Sequence, residues 1–229
     1  MPKVFIGTPA YQNTVHAEYC ISLSRTINLL EKNNIETIVM IKMSGSLLSL
    51  ERNKIVEEFM KSDCTHLLCI DNDVAWQPEA VFKLLEYNED FVGGVYTTKL
   101  SKEFIVRLKI NENGGLYYKG NLIEVNAMPA GFMLISRNVI QKMFEHFPEL
   151  KFFGEEAERP VRYALFNTIL RDEQFWGEDF TFCMRAQEAG FRLFIDPSLK
   201  FNHAGIVGSV QEALQESEYI HKTPTFLSM

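Results

Sequence analysis

The chain has 229 residues, of which 46% are hydrophobic, so it can form one globular domain with a core large enough for an α/β sheet. Its formal net charge of -7 argues against general binding of nucleic acid, because phosphate backbones are bound by clustered Lys and Arg. The sequence contains neither an apolar run of about 18 residues nor a signal-peptide pattern, and its four cysteines form no CxxC pair, so we expect a cytoplasmic protein in a reducing compartment without a transmembrane segment.

The first 95 residues alternate short apolar runs with segments of helical periodicity. Buried strands are predicted at residues 4–7, 67–70 and 90–95, a β-branched strand with partial alternation at 35–41, and helices at 14–32, 48–62 and 78–86. Ser44-Gly45-Ser46 breaks the second strand, and Pro78 suits the first turn of the third helix because its missing N–H is not needed there. This alternation indicates a parallel sheet with helices on both faces.

The second half of the chain has a more antiparallel pattern. A hairpin is predicted from residues 104–108 and 116–125 around the turn Asn113-Gly114-Gly115. The further predicted elements are a strand at 132–135, a helix at 138–147, a hairpin or mobile loop at 151–172, a helix at 180–189 ended by Gly190, a strand at 191–195 and a weak helix or tail at 210–220. We predict one α/β domain over residues 1–206, with a mostly parallel central sheet and a small antiparallel extension, followed by a tail over 207–229.

Two carboxylates, Asp71 and Asp73, directly follow the third buried strand, with Asn72 between them. Ligands of open α/β sheets bind at the carboxyl ends of strands. Oxygen ligands at this position could hold Mg²⁺ or Mn²⁺, which usually bridges to substrate phosphates. The alternative is a simple turn, since Asp and Asn are common turn residues.

A second acidic pair, Glu178 and Asp179, begins a predicted helix after Trp176 and Gly177. Acids are favoured in the first helical turn by the helix dipole, so a purely structural role is one interpretation. The preceding glycine indicates a loop that approaches another group closely. A carboxylate there could act as a general base toward a hydroxyl group.

Three isolated residues are weaker candidates. His203 lies in a polar turn after a strand and could join carboxylates around a Mn²⁺-like ion, although a single His is more often only hydrogen-bonded. Arg52 could bind a phosphate or a carboxylate with its guanidinium, or be solvated. Tyr11 could stack on a nucleobase or lie at the rim of a site.

Taken in chain order, these motifs resemble those of small GT-A-type glycosyltransferases similar to family 2, including viral ones. The resemblance covers roughly residues 3–206. It rests on Asp71-Asn72-Asp73 after an apolar strand, on Gly177-Glu178-Asp179, and on Asn202-His203 near the end, with support from Arg52-Asn53 and Gly93-Gly94-Val95-Tyr96.

The resemblance implies a single Rossmann-like GT-A domain that uses Mn²⁺ or Mg²⁺. It implies hexosyl transfer from a nucleotide-diphosphate sugar, with a UDP-sugar as the first choice, to a hydroxyl of an acceptor glycan. A viral member would act in the host cytoplasm. The implied metal ligands are Asp71, Asp73 and His203, the implied catalytic residues are Asp179 as general base and Glu178 as its neighbour, and the implied donor contacts are Pro9, Tyr11, Arg52, Asp71, Asn72 and Asp73.

Acceptor specificity is expected from residues 151–175. A base at Asp179 implies inversion of the anomeric carbon, and a retaining outcome stays open if Asp179 does not lie behind that carbon.

Two other functions remain open at this stage. A nucleotidyltransferase would build a nucleotide-sugar on a similar sheet, but residues 7–11 lack the glycines and basic residues of its first loop. A non-catalytic binding protein would hold a nucleotide-sugar without releasing free nucleotide.

Overall fold

The structure is a computed structural model, which describes residues 1–43, 47–99, 103–203 and 206–215. The strands, numbered along the described chain, are β1 (Lys3–Ala10), β2 (Glu36–Met43), β3 (His66–Ile70), β4 (Val74–Trp76), β5 (Phe91–Gly93), β6 (Arg107–Leu108), β7 (Tyr118–Lys119), β8 (Leu122–Ala127), β9 (Phe132–Ser136), β10 (Lys151–Phe153), β11 (Val161–Tyr163), β12 (Ile169–Arg171), β13 (Gln174–Trp176), β14 (Leu193–Ile195), β15 (Phe201–His203) and β16 (Ile206–Gly208). The α-helices are α1 (Ala17–Lys32), α2 (Leu48–Lys61), α3 (Glu79–Glu86), α4 (Arg137–His146), α5 (Glu178–Glu188) and α6 (Val210–Gln215), and 3₁₀ turns lie at Tyr11–Asn13 and Pro148–Leu150.

Nine strands form the central sheet in the order β2-β1-β3-β9-β5-β14-β8-β6, with β7 paired to β8. The strand pairs β1–β2, β1–β3 and β5–β14 are parallel. β9 is inserted antiparallel between β3 and β5, and β8 is antiparallel to β14, β6 and β7. The predicted central, mostly parallel sheet is confirmed, because only β8 and β9 run against the other strands.

Helices cover both faces of this sheet. One hydrophobic cluster joins the sheet to α2, α4 and α5 through residues such as Ile55, Val139 and Phe182. The other joins it to α1 and α3 through residues such as Leu23 and Leu84. The three-layer α/β arrangement that the alternating pattern predicts is therefore present.

Most predicted elements lie within a few residues of their observed bounds, with two differences near the site. The first helix begins at Ala17, because Gln12 and Asn13 adopt positive φ angles of 54° and 58° in the loop before it. β4 is an additional strand, and it pairs antiparallel with β15 so that Val74 lies opposite His203.

The predicted hairpin around Asn113-Gly114-Gly115 is present as a turn closed by a bridge between Ile110 and Leu116. β6 also pairs antiparallel with β8, so that Leu108 lies opposite Val125 within the two segments predicted to form the hairpin.

Residues 151–176 form the hairpins β10–β11 and β12–β13, so the hairpin interpretation of this segment is confirmed. Between them, Leu165 and Phe166 are fully buried. Asn53 of α2 exchanges two hydrogen bonds with the backbone of Phe166, at 3.0 and 2.9 Å. The guanidinium of Arg185 donates to the carbonyls of Ala164 and Leu165. These contacts hold the segment at residues 164–166 against α2 and α5.

The break at residues 44–46 and the tail beyond residue 215 lie outside the described residues, and the boundary at 206 stays a prediction. α6 begins at the predicted position, and Val210 packs into the core. Of the four cysteines, Cys64, Cys69 and Cys183 are buried and Cys20 is exposed. None of the helices in the described part of the chain combines the length and apolar character that crossing a membrane requires.

Candidate active site

The acidic residues singled out by sequence meet at the edge where β3 and β5 end. Asp71 and Asp73 follow β3, and Glu178 and Asp179 form the first turn of α5. His203 ends β15, whose pairing with β4 brings it beside Asp73. The candidate site therefore contains residues from distant parts of the chain.

Asp71 is held on both sides of its carboxylate. Arg52 donates from Nη2 to Oδ1 at 2.7 Å, and the Tyr96 hydroxyl donates to Oδ2 at 2.8 Å. The Asp71 amide donates to the Gly131 carbonyl at 3.2 Å. A Cβ atom at Gly131 would lie 2.0 Å from the Tyr96 hydroxyl and 2.5 Å from Asp71 Oδ2, so only glycine allows this close approach.

Arg52 is a buried cation between two acidic elements. Its Nε lies 3.8 Å from Oε1 of Glu178, so it links α2 and β3 to the start of α5. Burial by itself would lower the pKa of Arg52, but Asp71 and Glu178 together hold that pKa above its usual value. Nε and Nη1 have no hydrogen-bond partner among the described residues. The guanidinium therefore retains donors that a ligand could use.

Arg52→Met is expected to lower the free energy of unfolding by about 3 kcal/mol, because it leaves the Asp71 carboxylate without its buried cation. Urea unfolding followed by circular dichroism measures this change. Arg171→Met is the matched control, because Arg171 pairs with Glu188 at the surface and should contribute less than about 1 kcal/mol. Equal urea midpoints for Arg52→Met and Arg171→Met would contradict the structural role of Arg52.

Asp73 and His203 form the second half of the site. His203 Nδ1 lies 2.6 Å from the Thr97 carbonyl oxygen, which can only accept, so Nδ1 carries a proton. Nε2 then faces Oδ1 of Asp73 at 3.6 Å. A proton on Nε2, or a cation between the two atoms, would make this contact favourable, and the Lys99 ammonium already offsets the charge of Asp73 at its other oxygen.

The charges around this pair agree with a cation site. The Lys99 ammonium forms an ion pair with Oδ2 of Asp73, whereas Oδ1 faces His203. Burial would raise the pKa of Asp73, but His203 and Lys99 lower it well below its usual range. Burial would likewise lower the pKa of His203, and its contacts with Asp73 and Thr97 raise it instead.

Asp73 and His203 thus fit a divalent ion, whereas both oxygens of Asp71 are turned to Arg52 and Tyr96. Within the described residues, no three His, Cys, Asp or Glu side chains converge as a complete metal site. Two protein ligands suit Mg²⁺ or Mn²⁺ that takes its remaining ligands from a diphosphate and water.

Asp179 lies in a different environment from Asp73. Burial, followed by the neighbouring charge of Glu178, raises the pKa of Asp179 to about 6, although Arg52 opposes the shift. Its Oδ1 accepts a hydrogen bond from the Phe180 amide at 2.7 Å. Asp179 is therefore ionised at neutral pH and more basic than an ordinary aspartate.

An aromatic and cationic wall stands beside Asp179. The guanidinium of Arg107 lies 4.0 Å from the ring centre of Trp176 and 5.1 Å from that of Phe180. Burial lowers the pKa of Arg107, while the charge of Asp179 opposes this. Across the described residues, no carboxylate forms an ion pair with Arg107, and Trp176 Nε1 is buried without a partner.

The remaining predicted donor contacts lie at the first loop. Asn72 donates to the Thr14 carbonyl at 2.7 Å and accepts at its own carbonyl from the His16 amide at 2.9 Å, so it fastens this loop to β3. Pro9 is buried within β1, whereas Tyr11 is 60% exposed. The Tyr11 ring is therefore accessible to a ligand at this loop.

Sequence reasoning missed four residues of the site: Tyr96, Lys99, Arg107 and Gly131. Tyr96 ends the noted run Gly93-Gly94-Val95-Tyr96 but was given no role there. Gly131 directly precedes β9, and its close approach to Tyr96 and Asp71 is the reason for its residue type. Lys99 and Arg107 lie in segments without periodicity, and no local signal distinguishes them.

The comparisons with known proteins agree with this arrangement at the level of the fold. No family model matches the chain, and no curated protein matches its sequence. Among solved structures, A197 from STIV has a TM-score of 0.52 and 21% sequence identity, covering 92% of this chain and 91% of that one. This likeness, together with the sheet order, confirms the GT-A-type α/β fold that the motifs imply.

Two weaker likenesses were also found. GalNAc-T7, solved with UDP, GalNAc and Mn²⁺, has a TM-score of 0.48 and 14% identity, covering 88% of this chain and 44% of that one. The inositol-1-phosphate CTP transferase from T. maritima has a TM-score of 0.46 and 11% identity, covering 97% of each chain. With TM-scores below 0.5, neither likeness supports a conclusion about activity.

Proposed function

We propose that this chain is a glycosyltransferase that moves a sugar from a nucleotide-diphosphate sugar to an acceptor hydroxyl, with the help of a divalent cation and with inversion. One observation carries the proposal. A carboxylate and an imidazole that together could hold a cation, Asp73 and His203, share a sheet edge with Asp179, an aspartate whose pKa is raised to about 6. Sugar transfer needs both a group that stabilises a leaving diphosphate and a base that activates a hydroxyl.

Asp73 and His203 would hold Mn²⁺ or Mg²⁺ in this proposal. A cation bound there would offset the charge that develops on the leaving diphosphate. Asp71, whose two oxygens accept from Arg52 and Tyr96, would contact the ribose from its fixed position. Asn72 and Pro9 would shape the first loop, and the exposed ring of Tyr11 could stack on the base. We take a UDP-sugar as the first donor to test.

Asp179 would receive the proton of the acceptor hydroxyl. As that O–H bond breaks, the acceptor oxygen forms its bond to the anomeric carbon and the bond to the diphosphate breaks. Attack from the side opposite the leaving group inverts the configuration. Glu178 contributes by raising the pKa of Asp179 and by its contact with Arg52, which keeps the acidic pair beside the donor residues.

Arg107 and Trp176 would form the acceptor wall. A guanidinium that packs over an indole ring is restricted in position, and its unpaired donors can bind sugar hydroxyls or an acidic group of a glycan. Because the charge of Asp179 acts on Arg107, an acceptor bound there would lie near the proposed base.

Arg107→Ala is expected to raise the acceptor KM about tenfold while leaving UDP affinity within about twofold, because a charged hydrogen bond to the acceptor contributes on the order of 1.5 kcal/mol. Steady-state kinetics and calorimetry with UDP and Mn²⁺ separate the two effects. Arg159→Ala is the matched control, because Arg159 also lies over an aromatic ring, that of Phe153, at 5.3 Å. An equal loss of UDP affinity and acceptor binding would remove Arg107 from the acceptor wall.

A donor screen tests the proposed function as a whole. Thermal shifts with UDP-, GDP- and dTDP-sugars, each with and without Mn²⁺, should identify a donor whose binding depends on the ion. Incubation with that donor and a set of glycans should release free nucleoside diphosphate and add one sugar to one acceptor. Release of pyrophosphate from a nucleoside triphosphate and a sugar phosphate would instead indicate a nucleotidyltransferase. Donor binding without any turnover would indicate a binding protein.

A further inference from the structure

The outer strand of the central sheet, β2, has one open edge. It pairs in parallel with β1 over all eight of its residues, and no other strand of the described chain pairs with it. Apolar side chains on both of its faces are accessible, with exposed fractions of 43% for Ile38, 37% for Val39, 41% for Ile41 and 70% for Met43. β2 is therefore less covered than its position beside α1 and α2 would suggest.

Such an edge normally carries features that prevent association. Natural proteins interrupt open edges with proline, bulges or several charged residues. β2 contains no proline, its register with β1 is continuous, and its only charged residues are Glu36 and Lys42. Among the described residues, no strand pairs with the outward-facing backbone N–H and C=O groups of β2, which come from alternate residues of the strand.

The two charges are placed so that β2 is complementary to itself. In an antiparallel pair of two β2 strands centred on Val39, Glu36 of each copy lies opposite Lys42 of the other. Directly opposed side chains lie on the same face of the sheet, so both pairs can form ion pairs. The same register pairs Ile38 with Met40, so the apolar residues also meet. A shift by one residue loses both charge pairs.

The geometry points to a second copy of this chain as the partner of β2. The two sheets would join through β2 into one continuous sheet about a two-fold axis, an isologous contact that closes on itself. Met43, Leu47 and Leu48 lie at the end of the strand with exposed apolar side chains, and they would extend the contact. The interface is small, so we expect a dissociation constant in the micromolar range.

Charge reversal tests both the partner and the register. Sedimentation velocity from about 1 to about 200 µM should show a monomer–dimer equilibrium for the full chain. Glu36→Lys and Lys42→Glu should each weaken the dimer about tenfold, because each replaces two attractive pairs by two repulsive ones. The double variant should restore the affinity to within about threefold. Val39→Lys, which places two lysines opposite each other, should abolish the dimer.

The matched control reverses Glu145 and Lys142, an exposed pair at 2.7 Å on α4, far along the chain from β2. It should leave the dissociation constant unchanged, and circular dichroism should confirm that all variants are folded. A monomer at every concentration would overturn the proposal, whether the edge is free or covered by another segment of the chain. The proposal would also be overturned if the single reversals left the dissociation constant unchanged, or if the double variant did not restore it.

Discussion

Asp179→Asn is expected to abolish sugar transfer, to keep nucleotide binding, and to make the protein more stable at neutral pH. Asn has nearly the same shape as Asp but cannot accept the acceptor proton, so we expect the rate to fall by about 100-fold or more. UDP affinity in Mn²⁺ should stay within about twofold, because the cation pair Asp73 and His203 is unchanged. Full turnover by this variant would remove Asp179 from the role of base.

The stability gain follows from the direction of the pKa change. The pKa of Asp179 is raised from 3.8 to about 6 in the folded protein, so between these values the folded state binds more protons than the unfolded state. Stability therefore falls as the pH rises from about 4 to about 6, and the loss persists at pH 7. The shift corresponds to about 3 kcal/mol, and partial exposure reduces the expected gain of Asp179→Asn to about 1–2 kcal/mol.

The same pKa predicts the pH dependence of the wild-type rate. Below about pH 6 the rate should fall about tenfold per unit as Asp179 becomes protonated. Denaturant unfolding of Asp179→Asn and of the wild type at pH 5 and pH 8 checks the stability effect. The variant should have the higher free energy of unfolding at pH 8, and the difference should shrink at pH 5. A variant that loses both activity and stability at pH 8 would contradict the proposed environment of Asp179.

Asp73→Ala is expected to abolish cation-dependent binding of nucleoside diphosphate. The variant removes one of the two groups that fit the ion and frees Lys99 from its ion pair. Loss of a single supporting residue around a metal costs 10- to 100-fold in affinity, so loss of a ligand should cost more than about 100-fold. Calorimetry with UDP in Mn²⁺, and again in chelator, measures the difference.

The control for Asp73 is Asp63→Ala, because Asp63 pairs with Lys3 at the surface, 2.6 Å away. It should leave the Mn²⁺-dependent affinity for UDP unchanged. Unchanged affinity in Asp73→Ala would show that the ion, if needed, is held elsewhere. Equal losses in Mn²⁺ and in chelator would indicate a direct contact of Asp73 with the nucleotide.

The strand ends that carry the acidic residues were predictable, but their partners were not. Apolar periodicity locates β3 and α5, so Asp71, Asp73 and Asp179 could be placed at strand and helix ends from sequence. The pairing of Asp73 with His203 depends on β4 and β15, strands of three residues each, which are too short to produce a period. Residue chemistry made His203 one of the weaker candidates for a cation site, and the resemblance to GT-A enzymes grouped it with Asp71 and Asp73.

The environment of Asp71 shows a further limit of sequence reasoning. β9 is inserted antiparallel between β3 and β5, and this brings Gly131 and Tyr96 against Asp71. An apolar run predicts a strand but not its direction or its neighbours, so the contacts of Asp71 could not be derived. Arg107 was missed for a similar reason, because it faces Trp176 from a two-residue strand.

A crystal soaked in Mn²⁺ and UDP tests the central claim most directly. We expect an anomalous peak for the ion within about 2.2 Å of an Asp73 carboxylate oxygen and of His203 Nε2. Lys99 should be displaced from Asp73, and the diphosphate should lie on the far side of the ion. A peak elsewhere on the sheet edge, or UDP bound while Lys99 still contacts Asp73, would contradict it.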